Sequence, residues 1–212
     1  MSDETRSADR LITFTDAVVA IAITLLALPL VELGGETAGG TRPLGDLVVE
    51  NLGAVFGFVV GFFVIARHWW AHHRIFEHVR RYSIGLVLLN IFWLFSIVVL
   101  ALSTSLSFSY LPSEHPEVVA LYIGTMVVTS AFASGLALLV LRRPDLTDGS
   151  DDEALARLVG SIEATAAFVI ALVVGTVLPE VNYFALAVLA VTGRLDRPVL
   201  RRIEARRRGA SG

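Results

Sequence analysis

Polar side chains that could bind or move an ion are few in this chain, and they stand at particular positions. Asp16 lies near the start of the run TFTDAVVAIAITLLALPL, residues 13–30, in which Thr24 is the only later polar side chain. His68 and His72 are four residues apart in a second apolar segment. A hydroxyl oxygen can coordinate a cation, a carboxylate or imidazole can carry a proton, and two histidines at this spacing can hold zinc. Ion transport, proton coupling and metal binding are therefore the chemistries to weigh.

The elements that carry these residues are predicted to be membrane helices. The chain has 212 residues, of which 55% are hydrophobic and 17% charged, and its mean hydropathy is +0.70, too apolar for an ordinary soluble domain. Because about 20 mostly apolar residues make one helical span, the sequence predicts an all-α membrane protein with six transmembrane helices in a single domain, residues 1–212. The predicted spans are 11–31, 47–70, 84–108, 118–141, 155–178 and 181–193.

The arginines support an even number of spans. The 17 positively charged residues are all arginines, and all except Arg42 flank the first span, the second loop, the fourth loop or the tail. Cytoplasmic loops collect positive charge, so we expect both termini in the cytoplasm of a multi-pass cell-membrane protein. Asp16 interrupts the start of the first apolar run, so we interpret that run as a retained helix and not as a cleaved signal.

The polar residues also have less specific interpretations. His68 and His72 lack the glutamate of an H-E-x-x-H motif, and Arg67 and Arg74 would repel a dication, so no metal site is predicted. Asp16 is expected near the cytoplasmic end of its helix, where His72 or an arginine could bond to it.

Two further features bear on function. Ile21, Thr24, Leu25 and Leu28 are spaced so that they share one face of a helix, which by spacing alone is equally typical of packing against neighbours. Asn90 and Glu163 lie inside predicted spans, where polar groups usually find a partner on another helix.

The sequence shows neither a nucleophile with its base nor a phosphate-binding loop nor a T-V-G-Y-G filter, so we do not expect an enzyme or a carbonyl-lined filter. The intramembrane polar groups leave open a proton-coupled secondary transporter that would use Asp16, Glu163 and His72 as titrating groups.

Two motifs resemble those of a known family, the bacterial relatives of transmembrane protein 175, the endosomal and lysosomal potassium channel. The first has the pattern R-x-x-x-F-[ST]-D followed by A-I-A-I-T-L-L-A-L-P, and the second is W-x-x-H-x-x-x-F with an asparagine in the next span. They comprise Arg10, Phe14, Thr15 and Asp16, then Trp69, His72 and Phe76, then Asn90. Thr15 replaces the usual serine of the family and keeps the hydroxyl.

The resemblance implies a homotetramer in a bacterial cell membrane, with the first helix of each subunit lining a pore on the symmetry axis. Ile21, Thr24, Leu25 and Leu28 would form stacked rings, and the passing ion would be potassium, modestly preferred over sodium, or another monovalent cation. The implied structural polar network brings together Arg10, Thr15, Asp16, Trp69, His72 and Asn90. No cofactor beyond the permeant ion and no nucleic-acid partner is expected.

Overall fold

The protein is all-helical throughout the residues that the structure describes. The computed structural model describes residues 8–36, 44–109 and 115–177. Within them the helices are α1 Asp9–Leu25, α2 Leu28–Glu36, α3 Leu44–Glu50, α4 Leu52–Phe76, α5 Ile84–Ser109, α6 Pro116–Arg142 and α7 Asp151–Val177. Four of these, α4 to α7, are long and apolar enough to cross a membrane. The prediction of an all-α membrane protein is confirmed at this level, whereas the predicted sixth span, 181–193, lies outside the described residues.

The predicted first span, 11–31, is divided between two helices. Helix α1 ends at Leu25, and two residues in a turn precede α2. In this turn the backbone N–H of Leu26 donates to the carbonyl of Ile23, three residues back. Pro29 explains the break, because proline has no N–H for the carbonyl of Leu25 and its ring crowds that carbonyl. The turn therefore follows from a single residue that a hydropathy pattern does not register.

The helices are layered around α5. Helix α1 packs on α4 and α5, α5 also contacts α6, and α6 packs along α7. Trp93 of α5 and Tyr122 of α6 are among the largest fully buried side chains. Between α6 and α7, the hydroxyl of Thr165 donates to that of Ser130 over 3.0 Å. Hydroxyl pairs of this kind join membrane helices without introducing charge.

Helix α4 approaches its neighbours through glycines. Gly57 and Gly61 form a G-x-x-x-G pattern and are both buried, a spacing that lets helix backbones come close. A Cβ atom at Gly61 would lie 2.5 Å from Cγ2 of Thr104 and 3.1 Å from Cδ1 of Leu26. Thr104 cannot move away readily, because its hydroxyl is bonded to the carbonyl of Leu100 at 2.7 Å.

Substitution of Gly61 by alanine is therefore expected to destabilise the fold. Overpacking of this kind costs about 1 to 3 kcal/mol, which thermal unfolding of the purified protein would detect. Gly124→Ala is the matched control, since a Cβ atom there meets nothing within 4 Å. Equal unfolding temperatures for the two variants would contradict the close approach of α4 to α5.

One end of the bundle is held together by its connecting segments. We call it the arginine-rich end; α1, α5 and α7 begin there, and α4 and α6 end there. Val79 and Thr147 form an antiparallel bridge between the two connectors. The side chain of Arg80 donates to Asp148 over 2.6 Å, which holds the pKa of that exposed carboxyl below its ordinary value. The backbone N–H of Ala8 donates to the carbonyl of Arg80 at 3.1 Å, so the start of α1 joins the same assembly.

Candidate functional site

Helix α1 has one face against the bundle and one face away from it. Thr15, Val19 and Ala22 are buried, and Leu26 continues this face into the turn. The intervals of four, three and four residues between them are those of a single helix face. Everything on the opposite side of α1 is consequently presented outward from this subunit.

The four residues predicted to line a pore all lie on the outward side. Ile21, Leu25 and Leu28 are 60%, 52% and 51% exposed, and Thr24 is also exposed. The hydroxyl of Thr24 donates to the carbonyl of Ile21 at 2.8 Å. Because its hydrogen is used there, the lone pairs of the Thr24 oxygen remain available to a cation. The face therefore offers large apolar side chains with a single level of oxygen ligands between them.

A buried chain of hydrogen bonds ties α1 to α4 and α5. The hydroxyl of Thr15 donates to the carbonyl of Leu11, so its oxygen accepts the amide N–H of Asn90 at 2.8 Å. The amide oxygen of Asn90 then accepts from Nε2 of His72 at 2.7 Å. His72 is stacked between Phe76 and Trp93, with ring centroids 4.5 and 4.0 Å away. The carbonyl that accepts from Thr15 starts the order of donation, which assigns the proton to Nε2 of His72.

Asp16 has a different partner from the predicted one. Its carboxylate accepts the indole N–H of Trp69 at 2.8 Å, so the prediction that His72 or an arginine bonds to Asp16 is wrong. Trp69 and His72 are three residues apart on α4, and His72 is directed to Asn90 of α5. The neighbouring residues Thr15 and Asp16 thus hold α1 to α5 and α4 at one depth.

The structure does not bring the remaining polar candidates into this network. Arg10 is exposed and lines an open groove with Tyr82; within the described ranges it bonds to none of the other five residues of the predicted network. Nδ1 of His68 is bonded to the carbonyl of Val64 at 2.9 Å. His68 and His72 therefore use their nitrogens on different partners. Glu163 is partly buried on α7.

Sequence reasoning missed two contributions to this region. The pairing of Trp69 with Asp16 was missed, although an indole N–H is a donor that a nearby carboxylate can accept. The glycines of α4 were also missed, although their four-residue spacing is visible in GFVVG, residues 57–61.

The fold and the site define a multi-pass, all-helical membrane protein whose first helix is braced by polar side chains and leaves an apolar face uncovered. Residues 10–100 match the model of the family described as the endosomal/lysosomal potassium channel TMEM175. The resemblance is thereby confirmed over residues 10–100, the part of the chain that the model of this potassium-channel family matches.

Individual relatives agree with this family. The chain is 30% identical over 121 residues to a potassium channel of Streptomyces collinus, a match that covers 57% of each protein. The chain thus spans little more than half the length of that curated relative. The prediction that the chain is not an enzyme is also confirmed, since the family and this relative are channels.

Two crystal structures have the same fold. One is a lysosomal potassium-selective channel TMEM175 homologue from Chamaesiphon minutus, with a TM-score of 0.64, 21% identity and coverage of 92% of this chain and 97% of that one. The other is a threonine-to-alanine variant of the potassium channel MtTMEM175, with a TM-score of 0.60, 16% identity and coverage of 97% and 99%. At these identities the two structures establish the fold alone.

Proposed function

We propose that this chain forms a potassium channel in which the first helices of four identical subunits surround a central pore. The observation that carries the proposal is the outward face of α1, where Ile21, Leu25 and Leu28 are each at least half exposed. An exposed apolar face of a membrane helix can meet either lipid or another subunit. The family resemblance favours other subunits for α1, and four copies around an axis would bring these faces together.

The chemistry of this face suggests how ions would be selected. Rings of apolar side chains make a narrow neck from which water withdraws readily, so an ion must shed part of its hydration shell to pass. Potassium holds that shell less tightly than sodium does, so dehydration favours potassium modestly. The oxygens at Thr24 would replace part of the lost water. Selectivity would then arise from the cost of dehydration and not from a filter of ordered carbonyls.

The orientation of the chain belongs to the same proposal. The arginine-rich end, with Arg80, Arg81, Arg142 and Arg143 in and near its connectors, would face the cytoplasm of a bacterial cell. The pore would then open to the cytoplasm beside the start of α1. A sixth span near residues 181–193 would return the tail to the same side.

Ion flux in reconstituted liposomes tests the proposal. The purified chain should carry a potassium current that rises in proportion to the driving force and shows discrete openings in planar bilayers. Potassium should pass more readily than sodium, without being exclusive. Protein-free liposomes and a family-unrelated membrane protein of similar size serve as controls.

A saturating, proton-dependent flux would instead favour the secondary transporter. In the structure Asp16 and His72 have fixed partners, Trp69 and Asn90, and Glu163 lies on α7, which packs on α6 and α4. A carrier would have to release these bonds in each cycle. Absence of single openings, together with loss of flux on dissipating the proton gradient, would replace the channel proposal.

A further inference from the structure

A cavity of about 190 Å³ lies between α4, α6 and α7 toward the arginine-rich end. It is distinct from the outward face of α1, since the residues that line it come from the other three helices. Its polar lining consists of Arg67, His68, Arg74, Ser130, Arg157 and Ser161. No acidic side chain belongs to the lining in the part of the chain that the structure describes.

Two arginines of α4 point to an anion. Arg67 and Arg74 are seven residues apart, so they stand on one face about 10 Å from each other along the helix. Neither is paired with a carboxylate among residues 8–36, 44–109 and 115–177. Both residues are exposed, so water reaches them at the edge of the cavity that they share. A phosphate group would supply the counter-charge that the described residues do not.

Arg157 brings a third positive charge from α7. Its side chain is only 10% exposed, and one of its terminal nitrogens donates to Nδ1 of His78 at 2.7 Å. It also forms a long ion pair, 3.7 Å, with Glu77, whose side chain is 57% exposed. The cavity therefore has more positive charge than its protein neighbours balance.

His68 contributes an aromatic wall to the cavity. The residue is 5% exposed, its ring lies against that of Phe168 with centroids 5.4 Å apart, and both line the cavity. Nδ1 donates to the carbonyl of Val64 at 2.9 Å, and Nε2 is enclosed by protein atoms. The imidazole therefore bounds the cavity without carrying charge into it.

We propose that this cavity binds the phosphate group of an anionic molecule, with Arg67, Arg74 and Arg157 around the phosphate oxygens and the hydroxyls of Ser130 and Ser161 beside a neighbouring polyol. The volume admits a phosphate with a small polyol. An anionic phospholipid headgroup such as phosphatidylglycerol has both groups, and basic pockets between membrane helices bind such headgroups. Trp70, which is 57% exposed and lines the cavity, is suited to the membrane interface.

Native mass spectrometry and thermal unfolding of the purified full chain test the site. Phosphatidylglycerol should remain bound and raise the unfolding temperature, whereas phosphatidylethanolamine, with no net charge, should do neither. The combined substitution of Arg67→Gln and Arg74→Gln should weaken phosphatidylglycerol binding at least about tenfold. Arg142→Gln is the matched control, because Arg142 is exposed near the same end of the bundle and does not line the cavity.

Two further experiments identify the source of the phosphate and control for misfolding of the variants. Stabilisation by inorganic phosphate, lost in the double variant and absent with the lipid, would mean that the site is filled from solution. Ala156→Leu fills the cavity without changing its charge, so it should abolish binding while the protein still folds. Equal binding by wild type, Ala156→Leu and the double variant would overturn the proposal. Phosphate binding by a chain that passes no potassium would leave this site standing and reject the channel.

Discussion

Ile21→Ala or Leu28→Ala is expected to raise single-channel conductance several-fold and to weaken the preference for potassium over sodium. The reason is that these residues stand 60% and 51% exposed on the uncovered face of α1. A shorter side chain at either level would widen an apolar neck and let an ion keep more of its water. Ile21→Asn should act in the same direction, because it makes the neck wetter. Bilayer recordings with potassium and sodium on opposite sides measure both quantities.

The same recordings separate the role of the hydroxyl from that of width. Thr24→Ala removes the oxygen that faces outward from α1 while changing the diameter less, so it should lower the potassium preference with a smaller change in conductance. Leu102→Ala is the matched control, since Leu102 is 61% exposed but lies on α5. If the α5 variant altered permeation and the α1 variants did not, the pore would have to be sought elsewhere.

Asn90→Leu is expected to lower the stability of the protein more than any other single change in the polar network. Leucine has nearly the same volume, but it leaves the Thr15 oxygen and the His72 N–H without their buried partner. Hydrogen bonds between membrane helices contribute about 0.6 to 1.7 kcal/mol, and this substitution removes two. The unfolding temperature and the yield of assembled protein should fall, whereas ion preference in any assembled channel should stay unchanged.

A double-mutant cycle distinguishes this bracing role from a conduction role. Thr15→Val removes the other partner without changing shape, so Thr15→Val with Asn90→Leu should cost less than the sum of the single changes. Asp16→Asn should be milder than either, since an amide oxygen can still accept from Trp69. A shifted reversal potential at normal stability would make these groups part of the ion path.

The polar residues of the site could be identified from sequence, but their pairing could not. Thr15, Asp16, Trp69, His72 and Asn90 stood out because polar groups are rare in apolar runs. Which of them form hydrogen bonds depends on how α4 is rotated about its axis relative to α1. This rotation cannot be derived from the spacing of residues within each helix. Trp69 and His72 are close in sequence, yet one reaches Asp16 and the other Asn90.

The same limit applies to the fold and to the cavity. Hydropathy located the long helices α4 to α7 but treated residues 11–31 as one span, because an average over a window does not register the missing N–H of Pro29. Arg67 and Arg74 were interpreted as markers of topology. That interpretation uses only their charge and does not say where their side chains point. Their convergence with Arg157 required the packing of α4 on α7.

The hydrogen bonds that hold α1 are unevenly distributed along its length, so the helix can tilt about its bonded end. Ala8, Thr15 and Asp16 bond it to other segments of the described chain, whereas the buried side chains beyond Asp16 are apolar and their contacts have no preferred direction. Leu25 stands ten residues, or about 15 Å, beyond Thr15. A tilt of about 5° about Thr15 would move Leu25 by roughly 1.3 Å. In the proposed tetramer, the same tilt in all four subunits would change the opening between opposite subunits by twice that distance.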